Sequence, residues 1–137
     1  MAENVDLIRR VYDALTRGSL EDMAALFHED AYWHAVATGI VGAGRTDGRE
    51  TVFEMIRGIT AMFEPGSMQL TLTNLIGSDE SNFVASEHRL TARFVDGTDY
   101  DNQYAFIWEV RDGKVAGLRE YMDSYYVHNV TPDEFLQ

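Results

Sequence analysis

Apolar side chains recur at helical spacing through the first half of the chain and at every second position through the rest. Val5, Ile8, Val11, Tyr12 and Leu15 share one helical face, and Gly18 is a natural stop. Ser19 opens a second short helix, with Asp22 three residues on as a capping-box variant and Leu20, Met23, Ala24 and Phe27 as its apolar stripe. The pattern then predicts a short strand over 31–37, a loop through the glycine-rich stretch from Gly39 to Gly48, and a third helix from about Arg49. That helix carries Val52, Ile56, Ile59 and Phe63 on one side and ends at Pro65-Gly66. Beyond it Met68, Leu70 and Leu72 alternate with Gln69, Thr71 and Thr73. Asp79-Glu80, Asp96-Gly97 and Asp112-Gly113 supply three turns, so four long strands in an antiparallel meander are predicted. Helices before a sheet make an α+β domain with helices on one sheet face, and a curved sheet closed this way leaves a mouth for a small molecule. Neither repeat nor linker interrupts residues 1–137, which read as one domain.

Composition narrows the possible functions. The chain has no cysteine, which removes disulfides, thiolate metal sites and a cysteine nucleophile. Eleven Lys and Arg face 23 Asp and Glu, a formal charge of -12 that repels phosphate backbones and anionic membranes. We therefore expect neither a nucleic-acid nor a membrane partner. No apolar run reaches the roughly 20 residues of a membrane span, and the acidic N-terminal segment lacks the look of a signal peptide, so a cytoplasmic location is the expectation. No nucleotide loop, dinucleotide fingerprint or nucleophile elbow occurs, and the histidines match no metal-ligand spacing, so neither a cofactor nor a metal is expected.

Strand parity gives the candidate site. In the strand around 82–95, His88 falls in the row of Val84, Leu90, Ala92 and Phe94. The next strand aligns Tyr100, Asn102, Tyr104, Phe106, Trp108 and Val110, and the last aligns Leu118, Glu120 and Met122. An acid between Leu118 and Met122 is costly to bury in charged form, and desolvation raises its pKa toward the range useful for proton transfer near neutral pH. His88 could share a proton with Glu120, while Tyr104 and Asn102 could donate hydrogen bonds to a ligand oxygen. Trp33 is expected as an apolar wall with Phe106 and Trp108, His34 at the rim, and the glycine-rich loop as a lid. Each polar group also has a purely structural reading: a satisfied core histidine, a His88–Glu120 bond serving the fold, amide and phenol groups completing the sheet. His28 and His128 are read as structural and peripheral.

The segments LTRGSLEDMAALFHEDAYWHA, GRETVFEMI and, above all, YDNQYAFIWEVRDGKVAGLREYMD resemble the ketosteroid isomerase-related branch of SnoaL-like proteins in the nuclear transport factor 2-like superfamily. The resemblance spans nearly the whole chain. It implies a cone-shaped α+β barrel in which three N-terminal helices pack on a curved, mainly antiparallel sheet. It also implies a homodimer through the outer sheet face, where Ala105, Ile107, Arg89 and Tyr121 lie. KVAGLREYMD is similar to the end of limonene epoxide hydrolase, so the resemblance puts Glu120 at that enzyme's catalytic aspartate and His88 at its arginine. Leu90 stands at its second aspartate, leaving the triad incomplete. His88 also resembles the catalytic histidine of scytalone dehydratase, whose tyrosine and aspartate have no counterpart, and the ketosteroid isomerase base would fall near Ala35. SnoaL-type cyclases use an acid in the cavity, a role only Glu120 can fill here. The implied activity is cofactor-free acid/base isomerisation, cyclisation or dehydration of a small apolar carbonyl or cyclic compound. Glu120, His88 and Tyr104 would be catalytic, and Trp33, His34, Asn102, Phe106, Trp108, Leu90, Leu118 and Met122 would line the site. Epoxide hydrolysis with Glu120 activating water, or a non-catalytic binding or dimerising module, are the alternatives.

Overall fold

A computed structural model describes residues 3–136 of the chain. Helix α1 (Glu3–Thr16) buries Leu7, Ile8, Val11, Tyr12 and Ala14, the face that the apolar spacing predicts. It ends at Gly18, whose positive φ of 73° lets the Ser19 N–H turn back to the Ala14 carbonyl. Helix α2 (Leu20–Ala24) is capped by the Ser19 hydroxyl, which accepts from the Asp22 N–H at 3.2 Å.

The predicted apolar stripe of this second helix overruns its end. Phe27 instead begins strand β1 (Phe27–Ala35), four residues before the expected 31–37 strand and ending two residues short of it. The glycine-rich stretch is not all loop: Gly44–Asp47 forms strand β2, antiparallel to β1. Its apolar signal is nil because an edge strand of Gly, Arg, Thr and Asp is held by backbone bonds. Helix α3 (Arg49–Thr60) follows, burying Val52 and Phe53. It stops before Phe63, which forms an isolated bridge with Phe94 and stacks on its ring at 4.5 Å.

The meander is present as β3 (Gln69–Ile76), β4 (Phe83–Arg93), β5 (Asp99–Arg111) and β6 (Lys114–Met122), with neighbours antiparallel. The β5–β6 turn has positive φ at both Asp112 and Gly113, as a two-residue hairpin matched to strand twist requires. β1 joins β6 in parallel and extends the sheet to six strands in the order β2-β1-β6-β5-β4-β3. The tail forms α4 (Ser124–Val130) and a 3-10 turn (Asp133–Phe135), neither of which the pattern predicts.

Inner-face residues line up across strands as Val84–Trp108–Leu118, Ser86–Phe106–Glu120 and His88–Tyr104–Met122. One core packs α1, α3 and β1 against the Trp108 end of this face. A second, of Met62, Phe63, Ala92, Phe94 and Tyr100, is closed by Ile59, Val41, Val127, Val130 and Phe135. The tail thus covers the far end of the sheet. His128 itself is exposed, but its Nδ1–H donates to the Gly39 carbonyl at 2.8 Å and ties α4 to the segment before β2. Among the described residues no helix is long and apolar enough to cross a membrane.

On the outer face Tyr32 lies flat against Gly117 of the neighbouring strand, and a Cβ there would come within 2.2 Å of its ring. The same ring is covered by the Arg45 guanidinium at 4.2 Å, and its hydroxyl donates to Glu109 at 2.9 Å. Gly117→Ala should therefore cost about 2 kcal/mol through overpacking. Thermal melts should show a clear loss for the single variant and partial recovery when Tyr32→Ala is added. A melt matching wild type would contradict this packing.

Candidate functional site

Glu120 reaches the inner face from β6, next to Phe106 across one pair and Ala35 across the other. Its Oε1 accepts a hydrogen bond from Trp33 Nε1–H at 2.9 Å. Oε2 has no hydrogen-bond partner among the described residues. Among the described residues no fully buried side-chain nitrogen or oxygen lacks a partner, so Oε2 keeps accessible surface. Glu120 as a residue is half-buried, yet protein crowds the carboxyl enough that desolvation pushes its pKa up to about 7, against a smaller downward pull from the Trp33 N–H. The group is poised to hold or release a proton near neutral pH.

His88, buried on β4, is not bonded to Glu120. Successive strands lie ~4.8 Å apart, and β5 separates the two. The predicted proton sharing between them is therefore absent. His88 Nδ1 instead lies 2.7 Å from the hydroxyl of Tyr12 on α1. That hydroxyl is also 2.7 Å from Ser86 Oγ, which accepts from Trp108 Nε1–H at 2.8 Å. Tyr104 stacks on the His88 ring at 4.9 Å, and Phe106 meets it edge-on. Burial lowers the His88 pKa to about 4, so the imidazole is neutral near pH 7.

Other predicted groups are committed elsewhere. Asn102 donates to the Tyr100 hydroxyl at 3.2 Å and to the Asp123 carbonyl at 3.3 Å, while its Oδ1 accepts from the Gln103 N–H. It ties β5 to the start of α4, so its amide is already engaged. The Tyr104 hydroxyl bonds that of Tyr100. Burial raises the pKa of both phenols, which are neutral at physiological pH. Trp33 does face inward, but as a hydrogen-bond donor as well as a wall. His34, one residue on, takes the opposite parity and lies on the outer face between Arg45 and Arg119, not at a cavity rim. Trp108 and Leu118 are fully buried in the main core and cannot line an accessible site. Phe106 is buried beside Trp33 at a ring separation of 5.5 Å, whereas Leu90 and Met122 are half-buried. His28, on β1, donates from Nε2–H to the Arg111 carbonyl.

Tyr12, Ser86 and Tyr100 were missed by the sequence reading. Tyr12 sits in the α1 stripe as one more apolar residue. Ser86 was legible by parity, since it falls between Val84 and His88 in the inward row. No cluster of three or more His, Asp or Glu suited to a metal occurs among the described residues. A groove of about 510 Å³ is lined by Glu87, Arg89 and Tyr121 together with His88, Tyr104 and Met122 of the inner row. Glu120 takes no part in it.

Comparison with known proteins places this geometry. A family model described as a SnoaL-like domain matches residues 8–118. Among solved structures, Bal32a from a soil-derived mobile gene cassette is 28% identical over 98% of this chain and 97% of its own, with a TM-score of 0.81. A candidate ketosteroid isomerase from Kribbella flavida DSM 17836 is 25% identical, covering 88% of this chain and 78% of its own, with a TM-score of 0.70. An NTF2-like protein of unknown function from Burkholderia pseudomallei K96243 shares the fold, with 19% identity, coverage of 96% and 98%, and a TM-score of 0.84. No curated protein matches the sequence. The α+β cone with its helices and curled six-stranded sheet is thus an NTF2-like fold, and the chain belongs to the SnoaL-like domain family.

Proposed function

We propose that the protein is a cofactor-free acid/base enzyme that takes a small, mostly apolar carbonyl or cyclic compound and moves a proton with Glu120. The observation that carries this reading is the Glu120 carboxyl itself. It stands among apolar neighbours with one oxygen on Trp33 and the other without a protein partner among the described residues, and its pKa is pushed up to about 7. Such a group serves as base in one half of a proton shuttle and as acid in the other, which suits isomerisation, cyclisation or dehydration. Kinship with a candidate ketosteroid isomerase supports the same class of chemistry. Trp33 and Phe106 supply the flat apolar wall beside the carboxyl, and Tyr104 supplies another beside His88. Epoxide opening ranks lower, because a second acid would be wanted where the half-buried Leu90 stands.

One observation favours a non-catalytic second reading, a binding module that pairs through its sheet. The outer sheet face carries Ala105 and Tyr121, and Phe83 and Ile76 lie exposed on neighbouring strands. A homodimer through this face is compatible with either reading. Sedimentation should report twice the 15.5 kDa chain mass, reverting to a monomer in Ala105→Arg. A monomeric wild type would remove the dimer from both.

Two measurements test the role of Glu120. In a panel of cyclic ketones and epoxides, Glu120→Gln should lower kcat/KM on the accepted compound by about 100-fold or more. Undiminished turnover would rule out the assignment. Stability supplies a second readout that needs no substrate. Because the folded pKa near 7 lies above the ordinary 4.5, the bound proton favours the native state fully below pH 4.5, and that contribution disappears as pH rises through 7. Glu120→Gln stays neutral, so denaturant titrations should show it gaining on wild type by up to roughly 3 kcal/mol between pH 4.5 and 8. Parallel stability curves would mean that the carboxylate is solvated.

A further inference from the structure

The buried chain Trp108–Ser86–Tyr12–His88 has only one arrangement that uses every proton. Trp108 Nε1–H can only donate, and its partner is Ser86 Oγ at 2.8 Å. The Ser86 hydroxyl must then place its own proton. Its only other partner is the Tyr12 oxygen at 2.7 Å, in a residue 2% exposed. If Ser86 donates to Tyr12, the Tyr12 proton goes to His88 Nδ1 at 2.7 Å, and the imidazole carries its hydrogen on Nε2. The reverse arrangement has His88 Nδ1–H donate to Tyr12 and Tyr12 donate to Ser86. It leaves the Ser86 proton with no acceptor in a dry site. A doubly protonated ring fares no better, since no carboxylate bonds His88 among the described residues.

His88 Nε2 has no hydrogen-bond partner among the described residues. Among the described residues no fully buried side-chain nitrogen lacks one, so Nε2 retains accessible surface. It occupies the ring edge turned away from the Tyr12 bond. The ring cannot readily rotate, because Tyr104 stacks on it within 13° of parallel while Phe106 and Tyr12 meet it edge-on.

The geometry points to Tyr12 and Ser86 as positioning residues that lock His88 in its neutral Nε2–H form, making it a hydrogen-bond donor to an acceptor oxygen on the ligand. The inference rests on the carbonyl-substrate reading only for the identity of that oxygen. It changes the part His88 plays: the imidazole polarises a carbonyl or holds a developing oxyanion, and the proton is left to Glu120. It also selects among ligands. A compound with an acceptor oxygen fits, whereas one that presents only a cation or an N–H donor toward His88 meets a second donor.

Long-range nitrogen–proton NMR of the His88 ring in the full chain tests this without any turnover. At pH 7 the wild type should show an acceptor-type Nδ1 and a protonated Nε2 as a single tautomer. A protonated Nδ1, or an imidazolium, would overturn the proposal. Tyr12→Phe, checked for folding by circular dichroism, should release the lock and let the Nδ1–H form rise several-fold. A tautomer ratio unchanged in that folded variant would also overturn the positioning role. Cyclohexanone is the ligand probe, with methylcyclohexane as the control lacking an acceptor. The ketone alone should shift the Nε2–H signal. If the tautomer is as described but neither probe moves that signal, the carbonyl-substrate reading fails while the lock stands.

Discussion

A carboxyl group held by one indole N–H inside an apolar sheet face is the constraint on which the site depends. Trp33 Nε1 and Glu120 Oε1 join the first strand to the last. The parallel β1–β6 pairing that brings them together also completes the six-stranded sheet. In water hydrogen bonds satisfy all the acceptor positions of a carboxylate. Here one donor faces a large desolvation cost, and desolvation wins. Were β1 displaced by one residue, Trp33 would turn outward and the acid would lose its only donor.

The second polar feature is built on opposite terms. The Trp108–Ser86–Tyr12–His88 chain satisfies its members from within, so it sits in the packed core at little cost. It ends where the core ends, at an imidazole nitrogen that keeps accessible surface. Glu120 and His88 are thus two separately tuned groups on one inner face. One is raised toward pH 7, and the other is kept neutral by burial well below its ordinary range. Their separation by a strand leaves them without a direct hydrogen bond to one another.

The fold was largely legible because the meander and two of the helices carry strong periodicity, and positive-φ positions such as Gly18, Gly97 and Gly113 punctuate them. What escaped notice lacks an apolar signature. β2 is an edge strand of polar residues, and α4 covers the second core with tyrosine and valine over a single short helix. In the site, parity correctly put His88, Tyr104 and Glu120 on one face and could not reveal partners from other elements. Asn102 looked free because the Asp123 carbonyl it meets comes from the turn after β6. Trp108 and Leu118 looked like pocket walls because parity separates faces but does not say how far along a face the packed core extends.

The most direct test of the central claim is the titration of the Glu120 side-chain carboxyl carbon by NMR, identified by its loss in Glu120→Gln. The account predicts a midpoint near pH 7, moving further upward in Trp33→Phe as the only donor is removed. A midpoint near 4.5 in the wild type would show an ordinary solvated carboxylate and contradict the account.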